Sequence, residues 1–150
     1  MIKSLKSLFQ NPEQSAGPEL EHSLHLAAAA LLIEMTRADF EVATAEQEAL
    51  VNVLCSTLQL EHAEVLELIK LGAVAADKAT SLYEFTRLIN DHYSRDQKRA
   101  LVRSMWQVAY ADDSLDKYEE RLIRQVSDLI HVSHGDFIKL KLEVTGQKPG

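Results

Sequence analysis

Cysteine occurs once in this 150-residue chain, at Cys55. A single thiol excludes an intramolecular disulfide and any multi-cysteine metal site. Set in an apolar helical stretch, it reads as a buried, inert thiol. Breakers are also scarce, with three Pro and five Gly, and aromatic residues make up only 6%. Basic charge is short: 16 Lys and Arg stand against 23 Asp and Glu, a formal net charge of −7. A general nucleic-acid binder needs a basic face, so that class is excluded. No apolar run approaches the about 20 residues that span a bilayer. Lys3 and Lys6 interrupt the apolar residues at the start, which does not fit a signal peptide. Together these absences lead us to expect a cytoplasmic protein. Catalytic signatures are missing too. There is no Gly-rich phosphate loop, and no Ser/His/Asp or Cys/His pattern in a recognisable context, so no enzyme is expected.

What remains is a helical composition. Hydrophobic residues reach 46%, Ala, Leu, Glu and Lys are abundant, and the length suffices for one domain with its own core. Residues 1–18 read as an amphipathic arm and linker. Ile2, Leu5, Leu8 and Phe9 fall at helical spacing with lysines between them, ahead of the turn-rich stretch Asn11 to Pro18. Such an arm either folds back on its own domain or makes weak contact with a membrane surface or a partner. Residues 19–146 read as one all-α domain, and 147–150 as a tail. No strand-like alternation persists in it.

The spacing predicts about seven helices. The first runs from about Glu19 to Arg37 with an apolar middle, Leu26 to Ile33. The second runs from Thr44 to Leu58, and the third from about Glu61 to Ala76, burying Val65, Leu66, Ile69 and Ala73. A fourth follows Ser81, a fifth runs from Ser94 to about Ala111, a sixth from Lys117 to Ile130, and a last follows Ser133. Thr44/Gln47, Ser81/Glu84, Ser94/Gln97 and Asp116/Glu119 all have capping-box spacing. His22 and His25, with Glu19, read as a polar face near a helix start, because no second Glu-x-x-His motif completes a di-iron set.

A shift of 73 residues sets Asp112 on Asp39 and Glu119 on Glu46. The flanks follow: Leu50 falls on Ile123 and Val53 on Val126, and upstream Ala27 falls on Ala100 and Met35 on Val108. The unit Ala-Asp-x-x-apolar-x-x-x-Glu thus occurs twice, each time between an apolar helix and an amphipathic one, giving an internal duplication of a helix–acidic turn–helix unit. Two readings of its carboxylates stand side by side. A Glu near the third position of a helix satisfies free N–H groups and complements the positive helix end. Alternatively Asp39, Glu46, Asp112 and Glu119 form an oxygen-donor metal site. Hard oxygen ligands suit Ca²⁺ or Mg²⁺, whereas Zn²⁺ prefers Cys or His. Neither turn has the ligand spacing or the central Gly of an EF-hand.

The doubled turn, in an all-helical chain of this size, resembles the TerB family of tellurite-resistance proteins over about Glu19 to Gly146. The resemblance implies a compact bundle of about seven helices, an acidic metal-binding surface and a role in tellurite and other stress responses; protein partners are expected as well. Carried onto this chain, the acidic positions are Asp39, Glu46, Asp112 and Glu119. One departure matters: Phe40 and Asp113 stand where such turns usually have Gly. A Phe resists positive φ, so the first turn is expected to differ in shape and the second to be the more acidic.

Overall fold

Helix formation begins where proline closes the linker, since a first-turn position needs no N–H and its fixed φ is already helical. The computed structural model describes residues 18–37, 44–78, 81–111 and 117–146, with Pro18, Arg37 and residues 44–46 described through the backbone alone. Among the described residues there are seven helices and no strand. They are α1 (Pro18–Arg37), α2 (Thr44–Leu58), α3 (His62–Lys78), α4 (Tyr83–His92), α5 (Arg95–Ala109), α6 (Lys117–Leu129) and α7 (His134–Thr145). The all-α expectation holds.

α1 is the axis of the bundle. Leu26 to Ile33 are each at most 5% exposed, so this helix is covered on every side. Its closest neighbour is α3, while α4, α5, α2 and α6 close the remaining sides. A helix apolar all round is stable only when fully enclosed, and the Ala27–Ala30 run lets neighbours approach. Its two buried polar side chains bond to their own helix: Ser23 Oγ donates to the Glu19 carbonyl at 3.0 Å, and Thr36 Oγ1 to that of Ile33 at 2.8 Å.

α3 corrects one expectation. Leu66 is 44% exposed, and Ile69 and Ala73 are only half-buried. The stripe that faces α1 is Val65, Leu68, Gly72, Ala75 and Ala76. α3 carries apolar residues on more than one stripe, and Gly72 decides between them. A Cβ at Gly72 would lie 2.8 Å from Ile33 Cδ1 and 3.4 Å from Ala29 Cβ, so only the face bearing glycine can come this close to α1.

Helix starts follow local chemistry. At α5, Ser94 Oγ accepts from the Gln97 N–H at 3.1 Å and the Gln97 side chain accepts from the Ser94 N–H at 2.8 Å, the expected capping box. At α4 the expected Ser81/Glu84 box is not formed. Ser81 Oγ instead accepts from the Tyr83 N–H at 3.2 Å, and the helix starts after Leu82, whose carbonyl takes the first helical bonds. Ser133 Oγ accepts from the Asp136 N–H at 3.1 Å and opens α7. Thr44 and Asp116, proposed to cap α2 and α6, lie outside the described side chains.

Three helices, α2, α6 and α7, end on left-handed residues. α6 closes in a Schellman turn: the Val132 N–H reaches the Ser127 carbonyl at 2.8 Å, the His131 N–H reaches that of Asp128 at 3.2 Å, and His131 takes φ 64°. Gln59, with φ 56°, plays the same part after α2, where the Leu60 N–H reaches the Cys55 carbonyl at 3.2 Å. Gly146, with φ 69°, ends α7.

The second half of the chain is tied together around Trp106. This fully buried ring of α5 packs on Phe137 of α7 with centroids 5.2 Å apart. Lys141 Nζ lies 5.7 Å from the same ring's centroid and 2.6 Å from Glu120 Oε1 of α6. One lysine thereby joins three helices, its aliphatic stem covering apolar surface and its head reaching a carboxylate. Asn90 Nδ2 donates to the Leu129 carbonyl at 2.8 Å and fixes α4 against the end of α6.

Candidate functional site

The four carboxylates of the acidic turns are the site to be tested. Asp39 and Asp112 lie outside the described residues, as do Phe40, Asp113 and the side chain of Glu46. The shape and symmetry expected of the two turns therefore also lie outside the described residues. Glu119 is described. It sits in the first turn of α6, follows the second acidic turn, and is 1% exposed. Its direction is fixed by helical spacing: Glu119, Leu122, Ile123 and Val126 share the buried face of α6. A carboxylate on a core-facing stripe is costly to desolvate, and the N-terminal turn is where a helix best compensates it, through free N–H groups and the positive end of its dipole. Among the described residues, no group of three or more His, Cys, Asp or Glu is arranged to hold a metal ion. A cation here would have to draw on the turns themselves.

Other polar and aromatic side chains fall as follows. His22 is exposed and His25 half-buried. Cys55 is half-buried rather than enclosed, because it lies at the edge of the α2 face that packs on the core. Tyr83 is exposed, whereas Tyr93 is sunk far enough that burial pushes its phenol up to about 12 and keeps it neutral at physiological pH. Met105 and Trp106 are core residues and Tyr110 is half-buried.

Two surface depressions emerge that sequence spacing did not reveal. One runs between α5 and α7 and is charged, but it is internally balanced. Arg99 pairs with Asp96 and lies 3.9 Å from Asp136, and Arg103 meets Glu143 at 2.8 Å. Exposed pairs of this kind contribute little stability, and the opposed charges leave no net field for an ion. The other is a groove of about 380 Å³ where α1, α2 and α5 meet. Its floor includes Ala28, Leu32, Leu54 and Leu101, and Thr57 and Ser104 meet there through a 2.7 Å hydroxyl hydrogen bond between α2 and α5. No local motif announces this groove, because its walls come from three separate helices.

His25 lines the same groove, with Nε2 3.8 Å from Glu21 Oε1. Burial lowers its pKa from 6.5. Glu21 opposes that shift, while His22 adds to it and Glu64 opposes it. A histidine depressed in the folded state takes up its proton more readily when unfolded, so its linkage favours folding above pH 6.5 and is lost as pH falls through the folded value. Melting temperature is therefore expected to fall on acidification below 6.5, and His25→Gln to remove that part of the slope. A titration of His25 by NMR checks the cause, with its midpoint expected below the ordinary histidine value.

A family model described as tellurite resistance protein TerB matches residues 25–142, a span that contains all four acidic positions. No curated protein and no solved structure matches the chain. The match takes in α1 from His25 onward and all but the last residues of α7, and by its extent the chain belongs to the TerB family.

Proposed function

We propose that this TerB-family domain is a non-enzymatic, cytoplasmic stress-response module that takes up a divalent cation at its acidic turns and acts with protein partners. The residues that would hold the cation are Asp39, Glu46, Asp112 and Glu119. Their carboxylate oxygens fit Ca²⁺ or Mg²⁺, whose positive charge would offset the cost of grouping several acids. Glu119 carries the reading: it is a carboxylate kept on the buried face of α6, in the first turn that follows the second acidic turn. The repeat supports it, since α2 and α6 start 73 residues apart, the same shift that pairs the four acids. Among the described residues, no helix is long and apolar enough to cross a membrane.

A cation that binds only the folded chain must raise its melting temperature. Millimolar Ca²⁺ or Mg²⁺ is expected to do so, by about 2.7 kcal/mol of stabilisation at a hundredfold excess over Kd. Asp39→Asn and Asp112→Asn should each diminish the rise, and Glu119→Gln should do the same. The competing reading makes these residues helix caps in a metal-independent interaction module, and the first-turn position of Glu119 favours it. Under that reading the melting curve does not move with either cation, and Glu119→Gln lowers stability equally with and without them.

A further inference from the structure

Four bases of α4, α5 and α7 are held in ion pairs: Arg87, Arg99, Arg103 and Lys141. α6 differs. Its Lys117, Arg121 and Arg124 are exposed and enter no ion pair among the described residues. Glu120 is already engaged by Lys141 at 2.6 Å. Steps of four and three put the three bases on one stripe along the helix, and Asp128, also exposed, continues it. From N- to C-terminus the stripe carries three positive charges and then one negative. The same order with its signs reversed runs along α3. Glu61, just ahead of that helix, then Glu64, Glu67 and Lys70 are exposed at steps of three. The stripes do not satisfy each other within one chain: α3 and α6 each pack on α1, with no ion pair between them among the described residues. We propose that the α6 stripe is a docking face for α3 of a second copy of this chain. The two helices run in the same direction, so that Lys117 meets Glu61, Arg121 meets Glu64, Arg124 meets Glu67 and Asp128 meets Lys70.

Dimensions agree. Lys117 to Asp128 spans about 16.5 Å along α6, and Glu61 to Lys70 about 13.5 Å along α3. Rows three residues apart incline about 45° to a helix axis, so α3 crosses α6 obliquely. The Arg121–Glu64 and Arg124–Glu67 pairs then lie at the centre, and the long Lys117 and Lys70 side chains reach the ends. A large exposed apolar group flanks each stripe, Leu66 at 44% and Tyr118 at 50%, and contact centres favour such groups. Direction is specified as well, since an antiparallel placement would set Lys117 on Lys70 and Asp128 on Glu61. The sign order selects a second copy over other anions: a nucleic-acid or lipid surface is negative throughout and repels Asp128. Two copies of charge −7 repel at long range, but that field is screened beyond about 8 Å at physiological ionic strength, and contacting pairs lie inside this distance. Because two different faces meet, each added copy leaves one of each kind free, and the contact propagates.

Sedimentation velocity of the full chain in EDTA tests this apart from any cation at the acidic turns. The weight-average coefficient is expected to rise from micromolar to millimolar protein without a plateau. In about 1 M NaCl, where screening acts within about 3 Å, the rise should be lost. Arg121→Gln with Arg124→Gln blocks one face, and Glu64→Gln with Glu67→Gln the other. All four positions are exposed, and glutamine at 64 keeps the oxygen that accepts the Glu61 N–H, so melting temperatures should stay unchanged. Each double variant alone is expected to associate at least about tenfold more weakly than the wild type. An equimolar mixture of the two retains one working face of each kind, and should form a dimer that grows no further. A wild type that stays a single chain at millimolar concentration would overturn the proposal, as would a mixture that fails to pair. Undiminished association of either variant alone would assign the contact to one self-complementary face and overturn it equally. Association that strengthens with salt would make the contact apolar, with the same result.

Discussion

Trp106→Ala is expected to destabilise the domain by about 3–5 kcal/mol, a large share of the about 5–15 kcal/mol that holds a typical domain folded. The indole has no exposed surface, and its removal leaves a cavity bordered by Phe137 and the stem of Lys141. Neither can collapse into it freely. Phe137 belongs to α7, and Lys141 is held at its head by Glu120. Three helices lose a common contact, so α7 should lose protection first. Urea unfolding would give the energy, and amide exchange along α7 the location. Trp106→Phe separates volume from polarity. Trp106 Nε1 is buried with no hydrogen-bond partner among the described residues, a group whose desolvation costs about 1–3 kcal/mol. Phenylalanine gives up part of the packing but removes that burden, so its cost should be well below that of alanine. Equal losses for the two variants would show that the ring's size does not matter.

Gly72→Leu is the second large effect, expected at about 1–3 kcal/mol or more because it inserts a side chain where two helix backbones nearly touch. The Cβ alone would come within 2.8 Å of Ile33 Cδ1 and 3.5 Å of the Ala30 backbone nitrogen. Gly72→Ala divides into two opposed terms. Alanine gains roughly 1 kcal/mol of helix propensity and loses some of it displacing the end of Ile33. Ile33→Val removes the colliding methyl, so the pair should be non-additive, with Gly72→Ala more favourable in the valine background. Leu66→Ala, on the exposed stripe of the same helix, is the control and should stay within about 0.5 kcal/mol. Chemical denaturation of the five variants, the Gly72→Ala/Ile33→Val pair included, decides the matter. A Leu66 change as costly as the Gly72 change would mean that α3 docks through the other face.

These two sites also show what the amino-acid order reveals and what it withholds. The Leu26 to Ile33 run was legible as core from its unbroken apolar character. Ser94 with Gln97 marked a helix start, since a capping box is a local arrangement that needs no tertiary partner. α3 was different. Leu66 and Leu68 are equally apolar, and the choice between their faces depends on how closely α1 can approach Gly72, a property of two helices together. Ser81 failed as a box for a related reason: Tyr83, two residues on, offers its N–H first and the turn tightens. The site divides in the same way. Four acids were legible by repetition, but the burial of Glu119 follows from its register with Leu122, Ile123 and Val126. That register was present in the sequence, and a reading of Glu119 as a cap or a ligand alone passes over it. The groove was not legible at all, because Leu32, Leu54 and Leu101 meet only after three helices pack.

The central helix imposes an order on synthesis. α1 is made first of the described helices, yet α5 and α6, which complete its enclosure, are followed only by α7. Between the end of α1 and the end of α6, a ribosome adding about 5–20 residues per second works for about 5–20 s. Throughout that interval an unbroken stretch from Leu26 to Ile33 has no finished surroundings. Until α6 is complete, that stretch is exposed to water or to other apolar surfaces. Slow synonymous codons after Leu58 are expected to lower the soluble yield by lengthening that interval, without altering the stability of the finished protein.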